Sequence, residues 1–243
     1  MENYSAHPEI ATRHTLEFIL SNTSVKDKKV LEVGCGTGEL AAALQKSGAA
    51  LTAIDLSEKA IEKARDLGIN ALCLDFLDFS PEESYDLILF TRSLHHIFAL
   101  EKCLQKADAL LNPGGLVIAE EFDFEHVDIP TLFWLQNQHD WLDFLNQKTK
   151  SPLPADLLEN WMHEHLHDPP LHSGKVMVAA FEKFFKIISL QRCPYLFRSL
   201  LSKMIQRERF DETAKWIFEQ EQWYIEKQFI LPLGLRFVGK KKP

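Results

Sequence analysis

The strongest constraint on this chain is an alternation that runs through its first 125 residues. Apolar runs of strand length occur at Lys29–Val33, Ala50–Asp55, Ala71–Asp75, Tyr85–Thr91 and Leu116–Glu121, each nearly continuous in hydrophobic residues and ending in polar or acidic ones. A parallel strand covered on both faces reads this way, because neither side can be left to water. Helical stretches lie between them. Glu39–Ser47 is rich in alanine and leucine and stops at Gly48. Ser57–Leu67 opens on Ser57 as N-cap, places Ala60, Ile61, Ala64 and Leu67 on one face, and ends before Gly68. Ala99–Leu111 stops at Asn112-Pro113-Gly114-Gly115. Strand–helix–strand units at this spacing cross over right-handedly and build a doubly wound, mostly parallel α/β sheet.

The rest of the chain changes character. Residues 131–183 carry tryptophans, histidines and prolines in helical patterns, broken at Ser151-Pro152-Leu153-Pro154 and Asp168-Pro169-Pro170. Lys186–Leu196 reads as a strand, Ser202–Gln228 as a charged amphipathic helix, and Leu235–Lys240 as a short last strand. These two strands bring the expected sheet to seven, with helical insertions after the fifth and sixth covering its carboxyl edge. An amphipathic helix, roughly Pro8–Ser21, precedes the first strand. The five tryptophans, Trp134, Trp141, Trp161, Trp216 and Trp223, read as core and helix packing.

Charge and hydropathy exclude several classes. With 27 Lys and Arg against 35 Asp and Glu, the formal net charge is −8 at pH 7, which repels a phosphate backbone and argues against nucleic acid as partner. No apolar run approaches the roughly 18 residues of a membrane span, and Lys186 interrupts even Phe184–Leu190. Met1-Glu2-Asn3-Tyr4 offers neither the basic nor the apolar region of a signal peptide. Cys35, Cys73, Cys103 and Cys193 form no Cys-x-x-Cys pair and read as reduced thiols of a cytoplasmic protein. Lys240-Lys241-Lys242 reads as a solubilising tail, and no feature bears on oligomeric state.

The chemistry starts at Glu32-Val33-Gly34-Cys35-Gly36-Thr37-Gly38, between the first strand and the first crossover helix. Glycines there let backbone lie against a ligand. A dinucleotide loop is G-x-G-x-x-G/A; here the third glycine comes one residue early and Glu39 stands in the last place, where a carboxylate would repel a pyrophosphate. A cationic cofactor suits this acidic loop better. The spacing Glu32-x-Gly34-x-Gly36-x-Gly38 resembles the loop of class I S-adenosylmethionine-dependent methyltransferases. The resemblance continues along the chain at Asp55, at Asp75-Phe76, at Tyr85–Thr91 and at Leu111–Gly115. It implies a Rossmann-like fold, S-adenosyl-L-methionine as cofactor and a small-molecule acceptor. It further implies a single domain over 1–243, with 1–125 as the cofactor-binding core and 126–243 supplying lid insertions and the last two strands. By the same resemblance Glu32, Gly34, Cys35, Gly36, Gly38, Leu56 and Thr91 belong to the cofactor site. Asp55 would accept both ribose hydroxyls, as a carboxylate's lone pairs suit a vicinal diol, and Asp75-Phe76 would meet the adenine.

The acceptor end is expected just beyond the fourth and fifth strands, since ligands of open α/β sheets sit outside the carboxyl ends of the strands. Thr91-Arg92-Ser93-Leu94-His95-His96-Ile97 follows the fourth strand, and a neutral imidazole there could take a proton from an attacking hydroxyl or amine. His95 and His96 are therefore the candidate bases, with packing under the adenosine the alternative for one of them. Glu120-Glu121 ends the fifth strand; pleating sends the two carboxylates to opposite faces, so one can reach a pocket or orient a histidine while the other pairs or faces solvent. Glu120 is the candidate for chemistry and Glu121 for the acceptor wall. Tyr4 and His14, in or before the N-terminal helix, are lid candidates by the resemblance. The resemblance extends to Glu120–Asp128, Glu164–His167, Pro194–Leu196 and Gly234–Gly239 in a group of bacterial methyltransferases, so the insertions belong to the enzyme.

His163-Glu164-His165-Leu166-His167 contains H-E-x-x-H, a zinc-protease helix signature, but Asp168-Pro169-Pro170 ends the helix at once, and His172 is the one further residue on offer as third ligand, without convincing placement. No metal is expected, and His165 and His167 are instead candidates for a lid lining the acceptor pocket. The expected reaction is methyl transfer to a small, partly apolar molecule. A non-catalytic S-adenosylmethionine-binding protein is the alternative, and a metal-dependent hydrolase built on the histidine stretch a remote third.

Overall fold

A computed structural model describes residues 9–146, 148, 155–204 and 210–242. Helix α1 (Glu9–Asn22) leads into strand β1 (Lys29–Val33), followed by α2 (Glu39–Lys46), β2 (Ala50–Asp55), α3 (Glu58–Asp66), β3 (Ala71–Cys73), β4 (Tyr85–Thr91), α4 (Leu100–Leu110) and β5 (Leu111–Phe122). Then come α5 (Ile129–Leu145), α6 (Leu157–Glu164), α7 (Gly174–Phe184), β6 (Phe185–Cys193), α8 (Leu196–Ser202), α9 (Phe210–Glu226) and β7 (Gly234–Lys241). The strands form one seven-stranded sheet in the order β3-β2-β1-β4-β5-β7-β6. Strands β1 to β5 run parallel, and β7 runs antiparallel to both its neighbours.

The apolar runs are explained by burial on both faces. Leu31, Val33, Ile88 and Phe90 point to a core shared with Leu104 of α4 and Phe181 of α7. Val30, Leu87 and Leu89, alternating with them, face a second core with Phe18 of α1, Leu44 of α2 and Ile61 of α3. Ser57 caps α3 as expected, its hydroxyl accepting the N–H of Ala60. Several boundaries differ from the sequence reading. Strand β5 begins at Leu111, so Asn112–Gly115 lie within it rather than in a turn before Leu116, and β6 ends at Cys193, with Leu196 opening α8. Strand β3 stops at Cys73 rather than Asp75, because Asp75 turns away to accept the Leu77 N–H and starts a short 3₁₀ turn. Residues 202–228 are not one helix: Ser202 closes α8, and α9 begins at Phe210.

A third core sits over the carboxyl edge of the sheet, where Phe122 and Phe124 at the end of β5 pack with Leu132, Trp134, Trp161 and Phe197 from the inserted helices. Trp161 anchors α6 by donating its indole N–H to the Phe124 carbonyl at 2.8 Å. Trp134 and Trp161 are buried as core, whereas Trp141, Trp216 and Trp223 lie near the surface. No helix among the described residues is long and apolar enough to cross a membrane.

Candidate active site

The glycine loop lies where β1 turns into α2. Gly34 and Gly36 have left-handed φ of +77° and +54°, a region that L side chains resist. At Gly34 a Cβ would come within 2.3 Å of Ser93 Cβ, so the loop can close onto the turn after β4 only with glycine there. Ser93 secures the contact, its hydroxyl donating to the Val33 carbonyl at 2.6 Å. At Gly36 a Cβ would meet nothing within 4 Å, because that position opens onto the cavity. Asp55, ending β2, faces the loop: Oδ2 accepts the Gly36 N–H at 2.8 Å and Oδ1 the Ser57 N–H at 2.9 Å. Each oxygen keeps a lone pair for a further donor.

Below the loop Glu32 is fully enclosed, with Oε1 accepting the Thr91 hydroxyl at 3.1 Å and Oε2 left without a partner. Burial pushes its carboxyl up to about 7, helped by the nearby charges of Glu39 and Asp55. Glu39 accepts the Thr37 hydroxyl at 2.7 Å. This end of the site is acidic and suits a ligand with hydroxyls and positive charge.

The turn after β4 builds the other wall. Arg92 adopts φ +61°, a strained conformation for a residue with a side chain. The turn directs the Ser93 and Leu94 N–H groups to Glu121 Oε1, at 3.2 and 2.9 Å. Glu121 Oε2 lies 2.5 Å from His95 Nδ1. Thus a fully buried carboxylate on β5 fixes both the turn and the imidazole; in the neutral ring, Nδ1–H donates to Glu121 and Nε2 keeps its lone pair. The His96 ring lies against that of His95, centroids 4.1 Å apart. Burial, with the neighbouring His95, lowers His96 to about 4 and keeps it uncharged at neutral pH.

Glu120 points the opposite way. Its carboxylate meets Arg198 Nη2 at 2.6 Å, Arg236 Nε at 2.7 Å and the Thr15 hydroxyl at 2.7 Å, with Arg92 Nη1 at 3.5 Å. Burial by itself would raise this carboxyl; Arg198, Arg236 and Arg92 outweigh it and hold it down at about 2. Glu221 on α9 fixes the approach of α8 by accepting the N–H groups of Tyr195, Leu196 and Phe197.

One cavity of about 1310 Å³ joins these parts. Gly34, Cys35, Gly36, Asp55 and Thr91 line it, as do His95, His96, His165 and His167. Several expected residues stand outside its lining. Glu120 is enclosed by arginines and is corrected from a reacting group to a charge anchor. Glu121 touches His95 rather than the cavity. His14 is no lid: its Nδ1 lies 3.1 Å from Arg236 Nη2, and burial, with Arg236 beside it, lowers it to about 3. Asp75 caps its 3₁₀ turn, Phe76 is buried edge-on against Phe90, and Leu56 stands exposed beyond β2. Gly38 packs against Ala64 at the start of α2. Tyr4 lies outside the described residues.

The H-E-x-x-H stretch does not form a ligand pair, because α6 ends at Glu164 and His163 and His167 share no helical face. Among the described residues no cluster of three or more His, Cys, Asp or Glu could hold a metal. His165 Nδ1 instead lies 2.8 Å from the Trp161 carbonyl, with its ring stacked on Phe124. Arg92, Arg198 and Tyr195 also line the cavity and were not singled out from sequence. Arg92 lies in the segment that follows β4, but nothing local marks Arg198, whose role depends on α8 folding back over β5.

A sheet in this order, a glycine turn after its first strand and an acid ending its second define the class I methyltransferase architecture. The family described as "Methyltransferase domain" matches residues 7–170, and the chain belongs to it. The ubiquinone biosynthesis O-methyltransferase of Coxiella burnetii is 35% identical over 107 residues, 41% of this chain and 46% of that protein. That of Chromobacterium violaceum is 33% identical over 110 residues, 42% and 47% of the two chains. The matches thus span less than half of these curated relatives. Among solved structures, the N-methyltransferase NodS from Bradyrhizobium japonicum WM9 in complex with S-adenosyl-L-homocysteine superposes with TM-score 0.58 at 14% identity, covering 99% of this chain and 90% of that one. The [4+2]-cyclase SpnF superposes with TM-score 0.60 at 15% identity, covering 100% and 85%. These two likenesses speak for the fold, and their differing reactions leave the chemistry to the site.

Proposed function

We propose that the protein transfers a methyl group from S-adenosyl-L-methionine to a hydroxyl of a small molecule. The observation that carries this reading is that one cavity holds both the cradle at Gly36 and Asp55 and a histidine oriented by a buried carboxylate. The cradle fits the cofactor. Gly36 leaves room for it, Asp55 retains lone pairs for ribose hydroxyls, and the charges of Glu39 and Asp55 suit a sulfonium. When bound, the cofactor supplies a methyl group already activated by that positive sulfur.

The chain's own work is then positioning and proton transfer. His95 Nε2 takes the proton of the acceptor hydroxyl, and Glu121 stabilises the imidazolium that forms. His96, uncharged, packs on that ring and keeps water from it. Phe122, Trp161, Tyr195 and His165 supply an apolar, water-poor wall in which orientation contributes much of the rate. The curated relatives are named as O-methyltransferases, which agrees with an oxygen acceptor and with the use of a base. We read the described chain as one domain, since β6 and β7 complete the sheet begun by β1 to β5. The four unpaired cysteines support a reducing compartment, the cytoplasm.

The test is calorimetry of the purified protein with S-adenosylmethionine and S-adenosylhomocysteine, followed by mass-spectrometric detection of methylated product from a panel of phenols and hydroxy acids. Saturable binding with product formation supports the reading. Binding without transfer to any acceptor favours a non-catalytic cofactor-binding protein, and no binding removes the reading altogether.

A further inference from the structure

Arg92, Arg198 and Arg236 converge on one carboxylate, that of Glu120. Counted against Glu120 alone, the three arginines leave two positive charges over, and His14 beside them is neutral; Glu32 near Arg92 and Glu221 near Arg198 are both pushed up to about 7 by burial and offset that excess only in part. The neighbouring acids do not supply the balance. Glu121 is taken by His95 and two backbone N–H groups, and Asp123 is bridged to Arg192 at 2.7 Å. The acids lining the same cavity lie by other groups: Asp55 and Glu39 at the glycine loop, Glu164 with the Asn160 amide at 3.0 Å on α6, and Asp143 near His139. Excess charge in a low-dielectric wall calls for an anion.

The three arginines are not equivalent. Arg236 is enclosed, donating to Glu120 and to the His14 carbonyl. Arg198 donates to the Ala11 carbonyl, Thr15 and Glu120. Arg92 approaches Glu120 only at 3.5 Å, through a buried Nη1 that makes no hydrogen bond, while the rest of its side chain, 35% exposed in all, lines the cavity. The left-handed backbone that places it is strained, and such strain concentrates at functional positions. Tyr195, stacked on Phe122 with centroids 4.6 Å apart and planes 10° from parallel, offers a flat aromatic surface on the same cavity.

We propose that Arg92 determines acceptor specificity by binding the carboxylate of an aromatic acid laid against the Phe122–Tyr195 wall. This rests on the methyl-transfer reading, in which the same cavity takes the acceptor. The edge of the guanidinium turned from Glu120 to the cavity matches a carboxylate's two oxygens, and an uncharged acceptor would leave it unpaired. The cofactor's methionine moiety also bears a carboxylate, so the two sources must be separated.

The experiment uses the full chain saturated with S-adenosylhomocysteine, titrated with benzoate, 4-hydroxybenzoate and phenylacetate, each beside its amide. The acids should bind saturably and the amides about 10-fold or more weakly. Arg92→Gln should bring the acids down to the level of the amides, Arg92→Lys should restore much of the difference, and neither should change S-adenosylhomocysteine affinity more than about threefold. Melting curves identify a variant that fails to fold, in which case the acid–amide comparison in the unaltered protein and in Arg92→Lys carries the test. Equal binding of acid and amide, or no binding of any acid by the loaded protein, overturns the proposal. So does an Arg92→Gln variant that loses S-adenosylhomocysteine while binding the acids normally, since the arginine then belongs to the cofactor. If the unaltered protein binds neither S-adenosylmethionine nor S-adenosylhomocysteine, the methyl-transfer reading fails first and this proposal falls with it.

Discussion

Replacing Glu120 by glutamine separates its structural role from a chemical one. The side chain keeps its size but loses the carboxylate that Arg92, Arg198 and Arg236 share, and its new NH₂ opposes guanidinium donors. Removing one partner of a buried ion cluster costs about 3–5 kcal/mol. Titration gives a similar magnitude. A carboxyl that falls from 4.5 in the unfolded chain to about 2 in the folded one contributes about 3 kcal/mol at neutral pH. Glu120 is enclosed, so solvent screening takes little from that figure. For a chain of this size each kcal/mol moves the melting temperature by about 2–4 °C, so Glu120→Gln should melt about 6–20 °C lower at pH 7. The pH dependence follows from the sign of the shift. A depressed carboxyl stabilises above its unfolded value, so the contribution is complete above about pH 4.5 and is lost as pH falls toward 2. The gap between the unaltered protein and the variant should therefore be constant near neutrality and close on the acid side. Scanning calorimetry from pH 2 to 7 reads both. A drop of less than about 2 °C at pH 7, or a gap that widens in acid, would refute the anchor role and return Glu120 to the list of possible reacting groups.

Gly36→Val should weaken S-adenosylmethionine binding about 100-fold or more, because a branched side chain would fill the cradle and is strained at positive φ; near-normal calorimetric affinity would remove the loop from the pocket. His95→Ala should slow turnover about 10²–10⁴-fold with little change in cofactor affinity, and the loss should shrink as pH rises toward the acceptor's own pKa. A pH-independent loss would assign His95 to packing. Exhaustive chelation should leave the melting temperature unchanged, since His163 and His167 share no helical face; a fall that zinc reverses would overturn that.

The parts of the fold legible in sequence were those governed by local rules. Continuous apolar runs marked β1, β2, β4 and β5 because burial on both faces leaves no room for polar residues, as Val30 and Leu31 show by facing different cores. Ser57 and the loop glycines were legible because a cap and a left-handed turn each demand particular residues. Asp75 misled the reading of β3: an acid after an apolar run looks like a strand end, but here it has already left the strand to cap a turn. The helix expected across residues 202–228 failed for a related reason, since its periodicity does not record the break between α8 and α9. The arginine cluster was beyond sequence reasoning. Thr15, Arg92, Glu120, Arg198 and Arg236 come from five elements or their ends, and only the packing of α1 and α8 over β5 and β7 brings them together.

The adjacent acids of β5 show how one register step yields two environments. Pleating turns Glu120 and Glu121 to opposite faces, so each samples a different environment although their backbones are neighbours. Glu121 meets backbone N–H groups and His95, all donors to a carboxylate, and so can support a positive charge appearing on the imidazole. Glu120 meets three guanidiniums that already outnumber it, so it has no capacity to stabilise more charge or to accept a proton near neutral pH. Exchanging the two environments would need a one-residue slip of β5 against β4 and β7, which would also turn Phe122 away from Tyr195 and open the third core. The difference between the two carboxylates is therefore fixed by the same pairing that holds the sheet together.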